Sequence, residues 1–412
     1  MHVLKPVTMY KIGILREGKI PTDARAPLAP RQCVEIQERF PVQMVIQPSP
    51  LRCYHDTEYM DQGIHRQEDL SDCDLILGVK EVPIDHLLPG KTYMFFSHTI
   101  KKQAHNRRLL QAVLHKGIRL IDYEVLTDER GDRLIAFGYY AGIVGAHNGL
   151  WTLGQRTGLF DLPRMVQCHD YSEVKAHYRK LALPPLRIVL TGSGRVATGA
   201  IRNLHDFGIP QVSPADFLHK DFNHPVFTQL FAQDYVQHRS GQRIFNKEHF
   251  YAHGEEYVSV FAPFAHRADI MMNAIYYDKK APMFFTVAEM AAPDFAIQVV
   301  ADISCDIAPD ASVPCTLRAS TIADPVFGFD PHTGHECPPF LPHAVDVMAI
   351  DNLPSELPRD ATEYFGRQLI DNILPEILRQ EVSAVVQRAT IAEAGQLCER
   401  YRYLQDYVAH PA

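Results

Sequence analysis

The chain has 412 residues, and its 41 Lys and Arg residues against 49 Asp and Glu residues give a formal net charge of −8. That acidic balance argues against a nucleic-acid partner, because proteins that bind nucleic acids carry basic surfaces. The length predicts two or three domains at about 100–200 residues each, and a hydrophobic content of 46% is enough for packed cores.

Short apolar runs alternate with helical patterns in the first part of the chain. Alternation of this kind predicts an α/β fold with a parallel, doubly wound sheet. Ligands of such sheets bind beyond the carboxyl ends of the strands, which makes the residues after each run candidates for a site. The predicted strands are Tyr10–Leu15, Gln43–Ile46, Leu75–Val79, Thr92–Phe96 and Ile118–Ile121; helices between them include Pro30–Arg39 and Ala104–His115; the residues that follow strands are Arg16, Lys80, Glu81, His98 and Glu124.

A second sheet is predicted to begin at Arg187–Thr191, after a long helix over Ala141–Leu159 whose small residues suit close packing and a domain bridge. Phe217–Glu256 is polar, aromatic and rich in histidine, and we interpret it as an insertion. The further strands predicted for this sheet are Gln211–Ser213, Tyr257–Ala262 and Ile297–Ile303.

The tail Ala361–Gln405 has a helical period that Pro375 interrupts, and we expect it to fold back on the first domain. The resulting prediction is two domains. Residues 1–140 with 355–412 form the first, and residues 141–354 form the second.

A glycine loop follows the strand RIVLT and precedes a run that suits a helix. It consists of Gly192, Ser193, Gly194, Arg195, Val196 and Ala197, which match G-x-G-x-x-A. The first glycine permits a tight turn, the second lets a pyrophosphate approach the backbone, and the alanine allows close packing of helix on strand. The loop therefore predicts a site for NAD(H) or NADP(H). The acid for a ribose hydroxyl is not evident, because Asp216 lies slightly beyond the next predicted strand and either fills that role or caps a turn.

Lys80, Glu81 and His98 suit acid–base chemistry, because they stand at the ends of successive predicted strands. A lysine exchanges protons near neutral pH only if burial or a nearby cation lowers its pKa, whereas histidine titrates there unaided. The alternative is a surface lysine beside a core histidine.

Four cations also follow predicted strands, and arginine forks suit substrates with several carboxylates. The alternative for them is a set of solvated turn charges. They are Arg16, Lys19, Arg25 and Arg133.

The sequence predicts no metal site, no membrane segment and no disulfides. His332, His335 and Cys337 lack a fourth zinc ligand and lie in a loop with Pro and Gly. No window is apolar over the about 18 residues of a membrane span, and the opening segment lacks the pattern of a secretory leader. Eight scattered cysteines without a C-x-x-C pair are typical of buried thiols in a reducing compartment, so we expect a cytoplasmic protein.

Eight motifs recur in order along nearly the whole chain. They are ARAPLAP (24–30), LGVKEVP (77–83), YMFFSHTIKKQ (93–103), IRLIDYEVL (118–126), IAFGYYAG (135–142), GSGRVATGA (192–200), ADISCDI (301–307) and DNLPSELPRDATEYFG (351–366). Together they resemble the saccharopine dehydrogenase family and within it the lysine–ketoglutarate reductase domain of bifunctional enzymes of lysine degradation. DNLP and the Lys/His pair are also similar to alanine dehydrogenase and the transhydrogenase nucleotide-binding subunit.

The resemblance implies two Rossmann-like domains with the active site in the cleft, the second domain binding the nucleotide. It implies an acid–base pair of Lys80 and His98, tuned by Glu81 and Glu124. Arg25 and Arg133 match carboxylate binders, with Arg16 as a further candidate, and Asp351 matches an acid near the nicotinamide. Two features depart from the pattern: one branch's substrate lysine is displaced here to Lys19, and Val196 stands where one branch has a cysteine.

The reaction that the resemblance implies is reversible condensation of lysine with 2-oxoglutarate to saccharopine, with reduction by NAD(H) or NADP(H). No second, saccharopine-splitting domain follows, so only this reaction is expected. A related opine-type or alanine-type dehydrogenase is the alternative enzyme, and a nicotinamide-binding sensor without turnover is the alternative from another class. The substrates are the only partners predicted, and a homo-oligomer stays open.

Overall fold

The computed structural model describes residues 9–379, 381 and 383–410. The chain divides into two compact units, Met1–Phe137 with Pro358–Ala412 and Gly138–Leu357. Each bound lies a few residues from the boundary predicted from the sequence. Residues 1–8, on which part of the leader prediction rests, lie outside the described residues.

The strands alternate with helices in both units. In chain order the strands are β1 (Tyr10–Ile14), β2 (Val42–Ile46), β3 (His65–Arg66), β4 (Leu75–Leu77), β5 (Thr92–Phe95), β6 (Arg119–Asp122), β7 (Arg187–Thr191), β8 (Val226–Leu230), β9 (Val236–His238), β10 (Tyr257–Ser259), β11 (Ile270–Asn273), β12 (Val299–Asp302), β13 (Phe327–Asp330), β14 (His335–Cys337), β15 (Val345–Met348), β16 (Thr390–Glu393) and β17 (Gln396–Leu397).

The α-helices range from one turn to a long helix that opens the second unit. They are α1 (Pro30–Arg39), α2 (Asp56–Met60), α3 (Arg107–His115), α4 (Gly138–Thr157), α5 (Tyr171–Tyr178), α6 (Arg195–Asp206), α7 (Pro214–His219), α8 (Ala232–Tyr235), α9 (Lys247–Ala252), α10 (Ala262–Ala265), α11 (Val287–Met290), α12 (Pro358–Gln368), α13 (Leu374–Leu378), α14 (Ala384–Ala389) and α15 (Gln405–Ala409). A π-helix (Leu369–Ile373) joins α12 to α13.

The first unit contains a sheet in the order β17-β16-β6-β5-β4-β1-β2-β3. Strands β1 to β6 run parallel, whereas β16 pairs antiparallel with β6 and β17 pairs antiparallel with β16. The strand order reverses between β1 and β4. In a doubly wound sheet the crevice for ligands lies beyond the carboxyl ends of the strands at that point.

The second unit contains a sheet in the order β14-β13-β15-β12-β11-β7-β8. Strands β8, β7, β11, β12 and β15 run parallel, and the β13–β14 hairpin adds an antiparallel edge. The switch point here lies between β7 and β11. Both sheets are therefore mixed but dominated by parallel strands, which confirms the predicted α/β class.

Helices α4 and α6 pack with their backbones in close contact within the second unit. A Cβ atom at Gly142 of α4 would overlap the carbonyl oxygen of Val196, and one at Gly199 of α6 would overlap that of Tyr139. The small residues that the sequence placed in the long helix therefore serve packing against α6. Behind them, Leu190, Ile270 and Ala301 lie in the same apolar core.

Four sequence predictions need correction. The segment Gln211–Ser213 is not a strand, because Gln211 forms only an isolated bridge to Phe227. The next strand of the sheet is β8, which lies inside the segment interpreted as an insertion. Strand β10 pairs only with β9, and β11, which the sequence missed, occupies the place beside β7. The tail was expected to be helical, yet it also supplies β16 and β17.

Candidate functional site

The carboxyl ends of the central strands in the first unit carry the predicted ionisable residues. Lys80 and Glu81 follow β4, His98 follows β5, and Glu124 follows β6. Glu17, which the sequence analysis did not select, follows β1. These strands are neighbours in the sheet, so their ends meet at the switch point.

Glu81 holds His98 and Lys19 through separate carboxylate oxygens. Its Oε1 lies 2.5 Å from Nδ1 of His98, and its Oε2 lies 2.9 Å from Nζ of Lys19. Burial alone would raise the pKa of Glu81, but the hydrogen bonds from His98 and Lys19 outweigh it and lower the pKa to about 2. Because an ionised carboxylate only accepts, Nδ1 of His98 must donate, and Nε2 is left for proton exchange.

Lys80 has the lowered pKa that the sequence argument required. Burial, and then the guanidinium of Arg25, lower the pKa of Lys80 to about 8. Its backbone is fixed by Glu17, whose Oε2 accepts from the Lys80 N–H at 3.0 Å and whose Oε1 accepts from the Val79 N–H at 2.6 Å. Burial raises the pKa of Glu17 to about 7. The amine of Lys80 therefore titrates close to neutral pH on a fixed backbone.

A buried network sets the backbone of His98, which has a left-handed φ of 53°. Asp122 accepts from the Ser97 N–H at 3.0 Å, from the Ser97 hydroxyl, and from the Glu124 N–H at 2.7 Å. The Ser97 hydroxyl also lies 2.8 Å from that of Thr99. A non-glycine residue at positive φ is costly unless its surroundings impose it, and such residues gather at functional sites. The two neighbours of His98 are both part of this network.

Two groups of cations flank these residues. Arg25 is buried, pairs with Asp23 at 2.6 Å and lies 4.2 Å from the ring centre of Phe137. Arg133 and Lys101 both bind Oε1 of Glu124, at 2.6 Å and 3.1 Å. Burial opposes ionisation of Glu124, but Lys101 and Arg133 lower its pKa.

The structure does not bring Arg16 to this group. Its guanidinium donates to the carbonyl oxygen of Pro48 at 2.9 Å and to Glu68 at 2.7 Å, on the side of the sheet edge formed by β2 and β3. The position of Arg16 directly after β1 predicted a place at the switch point. Its side chain instead contacts residues that follow β2 and β3.

The glycine loop of the second unit lies at the other switch point. Gly192 has a φ of 107°, and a Cβ there would overlap the carbonyl oxygen of Ala274, which follows β11. At Gly194 a Cβ would meet no described atom within 4 Å. Ser193, Gly194 and Arg195 are exposed. Gly194, the residue that precedes α6, has no side chain with which to cap the helix. The loop thus places open space at the start of a helix, as an approaching pyrophosphate requires.

A buried ladder of polar side chains supports the strand ends beside this loop. Thr191 donates to Asn273 at 3.0 Å, and Asn273 donates to Asp302 at 2.9 Å. Burial raises the pKa of Asp302 to about 6. Asp351 is exposed after β15, and its charge acts on the thiol of Cys305. The hydrogen-bonded side chains of Thr191, Asn273 and Asp302 link the carboxyl ends of β7, β11 and β12.

Val196 and Asp216 differ from their sequence-based expectations. The side chain of Val196 packs against the apolar core beside α4. Asp216 does not follow a sheet strand: it lies on α7, its backbone N–H donates to the hydroxyl oxygen of Ser213 at 3.0 Å, and its carboxylate pairs with Lys220 at 2.9 Å. The strand that it was expected to follow, Gln211–Ser213, is not formed, and the next strand of the sheet, β8, begins ten residues after Asp216 at Val226.

No group of three His, Cys, Asp or Glu side chains in the described part of the chain is arranged to hold a metal ion. His335 and Cys337 lie on β14, in the hairpin with β13. None of the helices within the described residues is long and apolar enough to cross a membrane. All eight cysteines are free thiols.

Comparison with protein families gives a match over the N-terminal third of the chain. Residues 13–144 match the alanine dehydrogenase/PNT N-terminal domain. The chain is 31% identical to the alpha-aminoadipic semialdehyde synthase of Arabidopsis thaliana, over 95% of this chain but 41% of the relative. It is 27% identical to the saccharopine dehydrogenase [NAD(+), L-lysine-forming] of Emericella nidulans, over 88% of this chain and 91% of the relative. The chain thus spans less than half of the first relative's length.

An L-alanine dehydrogenase structure covers 97% of this chain, and the chain covers all of it, with a TM-score of 0.65 and 15% sequence identity. That likeness shows the fold. The homology to alpha-aminoadipic semialdehyde synthase and saccharopine dehydrogenase confirms the resemblance identified from the motifs.

Proposed function

We propose that this chain is an amino-acid dehydrogenase that reversibly condenses L-lysine with 2-oxoglutarate to saccharopine, using NAD(H) or NADP(H). The observation that carries the proposal is the switch point of the first unit, where Lys80 has a pKa of about 8 and Glu81 orients His98. The homology to alpha-aminoadipic semialdehyde synthase and to saccharopine dehydrogenase supports the same chemistry. A perturbed lysine next to an oriented histidine is what proton transfer at an amine requires.

The reaction balances with three changes at the substrates. The ε-amine nitrogen of lysine forms a bond to the keto carbon of 2-oxoglutarate, one water leaves to give an imine, and a hydride with a proton adds across the C=N bond. A bound dihydronicotinamide supplies the hydride. All other transfers are proton transfers, which the ionisable side chains of the first unit are suited to perform.

Lys80 is proposed to exchange protons while the C–N bond forms and water leaves. Near pH 8 its Nζ is present both with and without its third proton, so it can take a proton from the attacking amine and return one to the departing hydroxyl. Glu17 holds the backbone N–H of Lys80 and so limits the positions that Nζ can reach.

His98 is proposed to exchange the proton at the secondary amine through Nε2. Glu81 accepts from Nδ1 and, being ionised, stabilises the imidazolium that forms when Nε2 takes a proton. Phe96 stacks near His98 with ring centres 6.3 Å apart and an interplanar angle of 18°. That ring is an apolar neighbour on one side of the imidazole.

The cations are proposed to bind the carboxylates of the substrates. Arg133 and Lys101 carry side chains that are each 47% exposed, so their charges are accessible beside Glu124. Arg25, which the pair with Asp23 holds in one plane, is a further candidate at a buried position. Lys19 is proposed to tune Glu81 through their 2.9 Å contact.

The glycine loop fits a dinucleotide by its own geometry. The open space at Gly194 and the start of α6 would hold the pyrophosphate, and Gly192 permits the turn. Asp351 is proposed to lie near the nicotinamide end.

The test is an absorbance assay of NADH or NADPH oxidation with lysine and either 2-oxoglutarate or pyruvate. A lost charge-assisted hydrogen bond costs about 1.5–3 kcal/mol, or roughly tenfold or more in kcat/KM, so 2-oxoglutarate should exceed pyruvate by at least that factor. Arg133→Met should shrink the preference. Arg130→Met, an exposed neighbour in the same loop, should leave it unchanged.

Other results would redirect the proposal. Preference for pyruvate with ammonia would favour an alanine-type dehydrogenase, and nucleotide binding without turnover of any substrate would favour a sensor. An unchanged preference in Arg133→Met would remove this arginine from the carboxylate site while leaving the reaction in place.

A further inference from the structure

We propose that Asp122 is a positioning residue that holds both halves of the site, the proton-transferring imidazole of His98 and the cations proposed to bind the substrate carboxylates. This inference rests on the proposed function, because that proposal assigns proton transfer and carboxylate binding to these groups. Asp122 ends β6 and is fully buried, so its carboxylate acts through neighbouring residues and not by contact with a substrate.

Each oxygen of the Asp122 carboxylate holds a different segment of the site. Oδ2 accepts from the N–H of Ser97 at 3.0 Å and from the Ser97 hydroxyl. Oδ1 accepts from the N–H of Glu124 at 2.7 Å. The side chain therefore connects the segment that follows β5 with the segment that follows β6, two parallel strands in which Phe95 lies opposite Asp122.

The Ser97 side of this arrangement determines the backbone of His98. Ser97 and Thr99 are fully buried, their hydroxyl oxygens lie 2.8 Å apart, and the Thr99 N–H donates to the Ser97 hydroxyl at 3.3 Å. His98 stands between them with a φ of 53°, which costs energy unless the neighbours impose it. Because Asp122 binds both donors of Ser97, loss of its carboxylate should free the imidazole to leave its contact with Glu81.

The Glu124 side determines where two cations lie. Oε1 of Glu124 binds Lys101 at 3.1 Å and Arg133 at 2.6 Å, and the backbone N–H of Glu124 is the group that Asp122 holds. Lys101 also belongs to the turn that begins at His98, since its N–H donates to the carbonyl oxygen of His98 at 3.3 Å. The imidazole and the cations are therefore held by one set of contacts.

These contacts close a ring in which Asp122 is the junction. The members of the ring are Asp122, Ser97, His98, Lys101 and Glu124. A carboxylate can serve both sides because it carries an acceptor oxygen at each end, whereas the amide of asparagine presents one oxygen and one NH2 group. The amide would direct its oxygen at the two donors of Ser97 and its NH2 group at the N–H of Glu124. Two donors that face each other would displace Glu124 and the cations bound to it.

The experiment measures kcat and the KM for 2-oxoglutarate at saturating lysine and reduced nucleotide. Asp122→Asn should raise this KM about tenfold with a smaller change in kcat, since the displaced cations lose charge-assisted contacts with the substrate. Ser97→Ala removes only the hydroxyl and should lower kcat about tenfold or more with KM unchanged, because a displacement of about 1 Å at a reacting group can cost up to about 10²-fold. Asp122→Ala removes both oxygens and should change both parameters. The two milder variants carry the test if Asp122→Ala does not fold.

Double-mutant cycles distinguish positioning from a general loss of packing. Ser97→Ala should lower kcat no further in a His98→Gln background, because the group through which it acts is already absent. For the same reason, Asp122→Asn should raise KM no further in a Glu124→Ala background. A general loss of packing would instead add to the effect of the second change in each cycle.

Asp69 and Ser71 provide matched controls in the same unit. The Asp69 carboxylate accepts from the Ser71 N–H at 2.8 Å and from the Ser71 hydroxyl at 2.7 Å, which is the same pairing at an exposed position. Asp69→Asn and Ser71→Ala should leave kcat and KM within about twofold of the original values, because changes at exposed positions have small effects. Dissociation constants for NADH and NADPH, read by fluorescence, should be unchanged in every variant.

The outcomes separate this inference from the proposed function. Turnover of lysine and 2-oxoglutarate by the original protein, with kcat and KM unchanged in Asp122→Asn and Ser97→Ala, overturns the role of Asp122 and leaves the reaction in place. An effect in only one of these variants overturns its role in both halves of the site, and additive effects in the two cycles overturn positioning. No turnover of these substrates by the original protein overturns the proposed function, and this inference with it.

Discussion

The two units place different chemistry at the same point of similar sheets. At the switch point of the first unit, the strand ends carry ionisable side chains, among them Lys80, Glu81 and His98. At the switch point of the second unit, the strand ends lead into a glycine loop and carry hydrogen-bonded side chains, of which the first two, Thr191 and Asn273, are neutral. In both units the sheet topology supplies a crevice at the switch point, and the residue types at the edge of that crevice decide which chemistry it can support.

The difference is also one of hydrogen bonding. In the first unit, carboxylates such as Glu17 and Glu81 accept bonds that fix a reactive neighbour. In the second unit, Asn273 and Asp302 connect strand ends to each other. At Gly194, a Cβ atom would meet no described atom within 4 Å, so the space there is open. This difference underlies the proposal that one switch point exchanges protons and the other holds a phosphate-bearing ligand.

Lys80→Met should lower kcat by about 10²–10⁴-fold, because a general acid–base group contributes that much. Dissociation constants for NADH and NADPH should stay within twofold or so of the original values, because the glycine loop belongs to the other unit. The measurement combines steady-state kinetics with nucleotide fluorescence. Lys91→Met is the matched control, since Lys91 precedes β5 at the opposite end of the strand from His98. Turnover of at least half the original rate in Lys80→Met would exclude its catalytic role.

Gly194→Val should weaken nucleotide binding by at least about tenfold, because the side chain fills the space that a pyrophosphate needs. The fold should survive, since a Cβ at Gly194 meets no described atom within 4 Å. Gly192→Ala should instead lower the melting temperature, because its Cβ overlaps Ala274 and its φ is 107°. Equal nucleotide affinity in a folded Gly194→Val protein would reduce the loop to a structural turn.

The pH profile of kcat/KM for saccharopine oxidation should fall about tenfold per pH unit below pH 8, because a base must be unprotonated to accept a proton. Burial and Arg25 lower the pKa of Lys80 to about 8, so its amine is mostly protonated below that pH and mostly neutral above it. A limb with the same midpoint in the residual activity of Lys80→Met would assign the titration to another group.

Arg16→Met should change kcat/KM less than about twofold, because its guanidinium is occupied by Glu68 and by the carbonyl oxygen of Pro48. Arg25→Met, at a buried position, should change it by roughly tenfold or more. Parallel kinetics of the two variants are the measurement. A loss in Arg16→Met as large as that in Arg25→Met would place Arg16 in the substrate site after all.

Local sequence patterns predicted those helices and strands whose conformation is indicated by their own residues. Helix α1 and strand β7 have the predicted bounds, because α1 starts at a proline followed by apolar residues at helical spacing, and β7 is a short apolar run that ends at a glycine. Strand β8 was missed since VFTQL lies among aromatic and polar residues that hide its pattern. Strand β16 was missed because its short sequence continues the helical period of the tail, while pairing with β6 decides its conformation.

The candidate site likewise contains residues that local patterns predicted and residues that they did not. Lys80, Glu81 and His98 follow predicted strands, so their grouping could be expected from the order of the sheet. Lys101 could not, because it reaches Glu124 only after the left-handed turn at His98. Glu17 reaches the backbone of Lys80 across the switch point, a contact that no periodicity encodes.

The antiparallel strand β16 has a consequence for biosynthesis. Its partner β6 ends at Asp122, but the residues of β16 leave the ribosome only after the whole second unit has been made. At about 5–20 residues per second, the edge of β6 stays open for roughly ten to fifty seconds, and an open edge can pair with other chains. The second unit, which is continuous in sequence, can complete its sheet first. Ribosome-bound chains that end before Thr390 should therefore show protease protection in the second unit and cleavage in the first.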